Sequence, residues 1–326
     1  MIELISPKNS LGITRYCQTF ELIFNSRGIN VKFLQKPSSS HSFAHFHIGN
    51  SGREVLMSAL EHKTRAIATM HDVVPRNPIL RFFIGRLQLF LLRNHQLVVH
   101  SEYAKALARK KGYAKSIEVV PMGPLPLYHD PIKVENNIPL NIKPNSEIGE
   151  DGNRITLRIC QPGVAKKAKA LPELIIAASK FPQITLVIAG EIKDQTTQDL
   201  IRKYKELKLI QLGYCSDEVL NQEIQKSDYV TCFRTSSVGE TNAPLVLSHY
   251  LGTPVTGWSV GSIPEYSLPG DQIFPEGTSI EEILKILLRK DSALQAKPTL
   301  LRDRVLKYWD ITFEKYKEIY SRLGWL

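Results

Sequence analysis

Apolar residues fall in short runs, and the runs alternate between two spacings. Ile2-Glu3-Leu4-Ile5 is short and β-prone, which suits a first strand. Ile13, Tyr16, Cys17, Phe20 and Phe24 then recur at helical spacing, with Ser10 as a candidate cap and Gly28 as the stop. Val31–Leu34 is again strand-like. The cycle repeats with strands at 43–48, 65–70, 96–99 and 117–120, and with helices up to Leu60 and from Ser101. A second series has strands near 155–160, 184–189, 209–213 and 228–233. Helices follow at 194–207, 279–290 and 303–323. Strand–helix alternation of this kind predicts an α/β fold with parallel sheets covered by helices. Between the two series, 124–153 is rich in Pro and Asn and lacks periodicity, so it reads as a linker or insertion. The expected division is therefore a domain over 1–123, the linker, a second domain over 154–302, and a closing helix within 303–326.

The stretch 78–95, PILRFFIGRLQLFLLRNH, is the most apolar of helix length. Phe82, Phe83, Leu87, Phe90 and Leu91 make a wide apolar stripe, with arginines at 76, 81, 86 and 93. It reads either as a core helix with arginines at its rim or as a helix lying in a bilayer surface. One helix can serve both ends with different faces.

Composition narrows the class. The chain has 326 residues, 43% hydrophobic and 23% charged, a globular composition large enough for two domains. No apolar run approaches the ~20 residues that span a bilayer. The start, MIELISPKN, lacks a basic region and an apolar core, so a secretory signal is not expected. Cys17, Cys160, Cys215 and Cys232 are widely spaced, without zinc-ligand spacing, and fit free thiols in a reducing cytoplasm. The net charge of +10 is uneven: residues 1–135 hold 18 Lys+Arg against 9 Asp+Glu, or +9. That basic half suits an anionic surface such as a membrane, or a solvated face. No aromatic–basic platform points to nucleic acid.

Chemistry concentrates in 229–266, YVTCFRTSSVGETNAPLVLSHYLGTPVTGWSVGSIPEY. A buried strand feeds a loop of small residues, and Glu240 and Thr241 stand where a helix is expected to begin. A helix N-terminus offers unpaired N–H groups and partial positive charge to an anion. Arg234 at the strand end adds a charged fork for phosphate, and Glu240 can accept from sugar hydroxyls. Together they suggest a nucleotide-sugar site. The alternative is that the two side chains simply pair with each other.

These residues resemble the donor motif of family-4 glycosyltransferases, retaining enzymes of the GT-B fold. Arg234 to Ala243 matches an Arg-x5-Glu-Thr-(Ser/Asn)-small pattern. Gly252-Thr253-Pro254-Val255 and Val260 to Glu265 match the turn and loop that follow. Gly163 and Lys169 match the family's glycine and lysine, ATMHDVVP its strand end before the cleft, and GYCSDEVL a segment near its base pocket. The chain departs from the pattern at Val164, where the family has Arg, and at Leu247 or Ser248, where it has a second Glu.

The resemblance implies two Rossmann-like domains with parallel sheets facing an interdomain cleft, and sugar transfer from a nucleotide sugar with retention. Lys169 and Arg234 are then expected to neutralise the leaving diphosphate, Glu240 to orient the sugar, and His71 to orient the acceptor or the reacting sugar. Gly163, Lys166, Lys167, Gly239, Thr241, Asn242 and Ala243 would hold the donor, while Gly12 and Asp72 would line the acceptor side. On sequence alone, Gly12 reads equally as a plain turn glycine and His71 as a backbone-bonding histidine. No metal or cofactor is expected beyond the nucleotide sugar. The expected partners are that donor, a glycan or lipid-linked acceptor and an anionic membrane surface, with no nucleic acid. The expected location is cytoplasmic, peripheral on the inner membrane face. A noncatalytic GT-B subunit that binds a partner glycosyltransferase or glycan is the second reading, favoured by the two departures.

Overall fold

A computed structural model describes residues 1–7, 10–39, 43–49, 66–77, 87–113, 115–125, 156–163, 167–289 and 297–326. The chain divides into two compact units. The first takes Met1–Asn137, Ser237–Thr241 and Lys307–Leu326, and the second takes Ile138–Ser236 and Asn242–Leu306. The linker expected over 124–153 lies outside the described residues, apart from Pro124 and Leu125.

The first unit contains β1 (Ile2–Ile5), α1 (Leu11–Ser26), β2 (Val31–Leu34), β3 (Phe43–Ile48), β4 (Ile67–Met70), β5 (Gln96–Val99), α2 (Glu102–Lys110) and β6 (Ile117–Val119). The strands form one parallel sheet in the order β2-β1-β3-β4-β5-β6. Side chains alternate across a strand. Ala44, Phe46 and Ile48 of β3 therefore join a core with Ile5, Met70 and Val99. His45 and His47 point to the opposite face, against Tyr16 and Phe20 of α1. Helix α1 buries the expected stripe of Ile13, Tyr16, Cys17, Phe20 and Phe24. Ser10 occupies its N-cap but makes no side-chain capping bond. Ser101 does cap α2, accepting from Ala104 N at 3.1 Å.

The second unit repeats the plan with β7 (Leu157–Pro162), α3 (Leu171–Ala178), β8 (Ile184–Ala189), α4 (Gln195–Lys203), β9 (Lys208–Gln211), α5 (Asp217–Gln225), β10 (Tyr229–Cys232), α6 (Ala243–Tyr250), β11 (Val255–Trp258), α7 (Ile263–Tyr266), β12 (Gln272–Phe274) and α8 (Ile280–Leu288). Its parallel sheet runs β12-β11-β10-β7-β8-β9. Leu157, Ile159, Leu186 and Ile188 pack beneath Leu174 of α3 and Leu284 of α8. Buried Asp271 ties α6, β11 and β12 together: it accepts from His249 Nε2 at 3.0 Å, Val255 N at 2.8 Å and Leu268 N at 2.7 Å. Helix α9 (Pro298–Arg322) closes the chain and belongs to the first unit from Lys307 onward. There Trp309 Nε1 donates to Pro124 O at 2.7 Å, and Tyr316 and Tyr320 are fully buried.

Candidate functional site

In the second, all-parallel sheet the strand order steps outward through β7, β8 and β9 on one side and through β10, β11 and β12 on the other, so the order reverses between β7 and β10. Open parallel sheets gather ligands beyond the carboxyl ends of strands at such a reversal. Here β7 ends at Pro162-Gly163, and β10 leads through Phe233 to Arg234. Gly163 adopts φ +76, and a Cβ there would come 3.0 Å from Lys169 Nζ. Lys169 ends a 3-10 turn (Lys167–Lys169) and donates to Pro162 O at 2.8 Å. The next residue, Ala170, holds φ 49, the one non-glycine at positive φ among the described residues. Such strain costs roughly 1–3 kcal/mol and persists where the surroundings fix it.

Lys169 and Arg234 share a notch with Gln161, Thr231, Asn242 and Pro244. Thr235 N donates to Ala168 O at 3.2 Å, which binds the two loops together. Both cations act on buried Cys232: burial pushes its thiol up to about 12, while Arg234 and Lys169 pull against that rise. A larger cavity of about 410 Å³ lies beyond β8 and β9, lined by Gly190, Glu191, Ile192, Arg202, Gln211 and Gly213. Gly213 opens the GYCSDEVL segment.

Helix α6 begins later than the sequence suggests. Asn242 is its N-cap and Ala243 its first residue, so Glu240 and Thr241 lie in the preceding loop. Two causes are visible. Pro244 has no N–H and fits a first turn that starts at Ala243. The segment Ser237–Thr241 is held within the first unit, where Val238 O accepts from Val73 N at 2.9 Å and Val74 N at 3.3 Å. Gly239 adopts φ +91, and a Cβ there would meet Val73 Cγ2 at 2.5 Å. Glu240 is 8% exposed, and its Oε2 accepts from Val238 N at 2.7 Å and Ser237 Oγ at 2.9 Å. The carboxylate thus shapes its own loop. Thr241 Oγ1 is buried without a hydrogen-bond partner among the described residues.

The remaining candidates of the first unit lie at the end of β4. His71 N donates to Ile48 O at 2.8 Å, and its Nε2 lies 3.1 Å from His47 Nδ1. Asp72 is buried and pairs with Arg76 at 2.9 Å. Burial works against the Arg76 charge, but Asp72 and then Glu240 outweigh it and raise the guanidinium above its ordinary pKa. Gly12 sits inside α1 rather than in the loop before it, and a Cβ there would meet nothing within 4 Å. The close approach belongs instead to Gly49, whose Cβ would strike Ile13 Cδ1 at 2.5 Å and lie 3.8 Å from Asp72 Oδ2.

Sequence reading singled out His71 and passed over its neighbours. His47, His71 and His100 gather around Tyr16 and His45 lies beside His47, with centroid separations between successive histidine rings of 4.2, 5.4 and 4.8 Å. Burial first, and mutual repulsion second, hold His45, His47 and His71 well below the ordinary imidazole range. Burial brings His100 down to about 4, against the opposing hydrogen bond to Val120 O. The period-two spacing of His45 and His47 in FAHFHI was the available signal. Val164 and Lys166 lie outside the described residues, as does the side chain of Lys167. Ser248, which with Leu247 stands where the resemblance would place a second carboxylate, donates its hydroxyl to Thr253 O at 2.7 Å.

No family model matches the chain, and no curated protein matches it. Solved structures do. Sucrose-phosphate synthase from Thermosynechococcus elongatus superposes with a TM-score of 0.72 at 14% identity, over 99% of this chain and 98% of that one. HepE of Anabaena, solved with UDP and glucose, gives 0.68 at 13% identity over 98% and 100%. AviGT4, a glycosyltransferase involved in avilamycin A biosynthesis, gives 0.63 at 15% identity over 99% and 98%. Two parallel six-stranded sheets and end-to-end superposition on these enzymes establish the GT-B glycosyltransferase fold for this chain.

Proposed function

We propose that the chain transfers a sugar from a nucleotide-sugar donor to a glycan, lipid-linked or other acceptor, with retention of configuration. The observation that carries this is the convergence of Lys169 and Arg234 at the strand-order reversal, beside the first turn of α6. The notch between them has a volume of only about 10 Å³, near that of one water. A diphosphate would therefore lie across its mouth and meet both cations and the helix N–H groups. An ammonium has three donors, and Lys169 gives one to Pro162 O, which aims the group. The cavity beyond β8 and β9 is within the range of small-ligand pockets and suits the nucleoside.

The charge that develops on the leaving diphosphate is neutralised by Lys169 and Arg234, so the reading needs no metal. Glu240 orients the donor sugar through its hydroxyls, within a loop that its own carboxylate holds in shape. Gly163, Lys166, Lys167, Gly239, Thr241, Asn242 and Ala243 complete the donor contacts. Neutral His71, fixed by His47, orients the acceptor or the reacting sugar, with Asp72 and Gly12 on the acceptor side. The UDP complex of HepE and the sugar chemistry in the neighbours' names support a nucleotide-sugar donor.

A noncatalytic subunit is the second reading. Val164 in the arginine place and a Ser248 hydroxyl engaged by Thr253 O favour it.

Thermal shift against a panel of nucleoside diphosphates and nucleotide sugars tests the donor site. A ligand at 100 times its Kd should add about 2.7 kcal/mol of stability. Lys169→Ala should weaken that binding about tenfold or more. Glu240→Ala should weaken sugar-bearing donors more than the bare diphosphate. A folded protein that no donor stabilises would refute the site. Slow donor hydrolysis separates enzyme from subunit, and the anomer of the product decides retention.

A further inference from the structure

Residues 87–91 are helical and run into a 3-10 turn at Leu92–Asn94. One face is anchored: Leu89 and Leu92 are buried in the core with Ala68 and Val99, and Gln88 is buried beside them. The other face carries Leu87, Phe90 and Leu91, at i, i+3 and i+4, exposed by 50%, 57% and 36%. Three neighbouring apolar side chains on one exposed helical face exceed the scattered single hydrophobes of an ordinary surface. Arg93 is exposed too, with its guanidinium 4.3 Å from the centroid of the Phe90 ring.

The sequence on either side of this face carries charge of one sign. From 73 to 101 the sequence has four arginines and no Asp or Glu, and residues 1–135 carry +9. Of the four, Arg76 is taken up by Asp72. An apolar stripe with arginine at its edge is what an interfacial helix presents to lipid. The apolar side chains enter the headgroup–acyl boundary, and the guanidinium stays at the level of the phosphates. A protein partner would have to bring a surface fitted to these side chains, whereas a bilayer adapts to them.

We propose that the face formed by Leu87, Phe90, Leu91 and Arg93 docks the protein on an anionic bilayer surface. The docking is independent of the donor site and stands or falls separately from it.

The test is co-sedimentation of the full chain with vesicles of phosphatidylcholine alone and of phosphatidylcholine with phosphatidylglycerol. The protein should bind the mixed vesicles about tenfold or more tightly than the neutral ones, and added salt should weaken that preference. Phe90→Ser with Leu91→Ser should cut binding about tenfold or more. Arg93→Gln should narrow the preference for anionic lipid. Phe90→Trp gives a second measurement in an otherwise intact chain: brominated lipids should quench its fluorescence beyond that of the parent's tryptophans. Absence of binding to the mixed vesicles overturns the proposal. So does binding that the double variant retains in full with no extra quenching at Trp in the Phe90→Trp protein. Donor binding is read without vesicles, so either result leaves that measurement intact.

Discussion

Gly239 shows how much of the loop around Glu240 depends on one missing side chain. Its φ of +91 lies in the region that favours glycine, and Val73 occupies the space a Cβ would need. Leu107 closes the same space at 3.3 Å. Alanine would bring backbone strain and a collision at once, so Gly239→Ala should cost about 2–4 kcal/mol, read as a lower urea midpoint. Gly12→Ala is the matched control. Its Cβ would meet nothing within 4 Å, so stability should hold or rise slightly. Equal stability of Gly239→Ala and parent would mean that the loop does not pack against Val73. Glu240 and Gly239 therefore carry different burdens: the carboxylate orders the loop by accepting from Val238 N, and the glycine lets the loop close.

At the scale of elements, α9 is held to the first sheet by polar contacts inside an apolar face. Tyr320 OH lies 2.9 Å from His45 Nδ1, and Tyr316 OH lies 2.7 Å from Thr69 Oγ1, which in turn meets His45 Nε2 at 2.6 Å. Tyr320→Phe removes the hydroxyl that meets His45 Nδ1 and leaves that buried ring nitrogen without it. It should cost about 1–3 kcal/mol in chemical denaturation, and no change would place water on that nitrogen. This network also marks the limit of sequence reading. The alternation of strands and helices was legible, because Ile13, Tyr16, Cys17, Phe20 and Phe24 repeat at a period only a helix satisfies. Arg234 was legible as a cation at a strand end and Lys169 only through the resemblance, and the fold brings the two side chains to one notch. The start of α6 was not, because Val73 and Val74, more than 160 residues away, hold Val238 and keep Glu240 out of the helix. The histidine cluster was hidden for the same reason. His45 and His47 look like polar interruptions of a strand until α1 and α9 bring rings against them.

For the whole molecule, the four clustered histidines make the first unit the one that acid should loosen first. In the unfolded chain each has a pKa near ~6.5, whereas in the folded chain burial lowers it. Below ~6.5 the unfolded chain binds more protons, so the stability these residues contribute is complete above that pH and is lost as pH falls toward the folded values. For His100, with a folded value of about 4, the loss at pH 5 is about 2 kcal/mol, near thirtyfold in the opening equilibrium. His45, His47 and His71 add to it, as a coupled set rather than as independent sites. The second unit meets this pH range differently. Its buried His249 is a single imidazole, 3.0 Å from Asp271, and not part of a histidine cluster. The lowered Glu223 carboxyl, which gains from Lys226 and Arg158 more than it loses to burial, gives up stability only below the ordinary carboxylate range. Hydrogen exchange at pH 7 and pH 5, corrected for intrinsic rates, should therefore show protection lost by at least about thirtyfold in peptides covering β3, β4 and β5. Peptides covering β7, β8 and β10 should keep theirs. A parallel loss in both sheets would mean that the molecule opens as a single unit. No loss in either would mean that the histidines already carry protons, or meet water, in the folded protein.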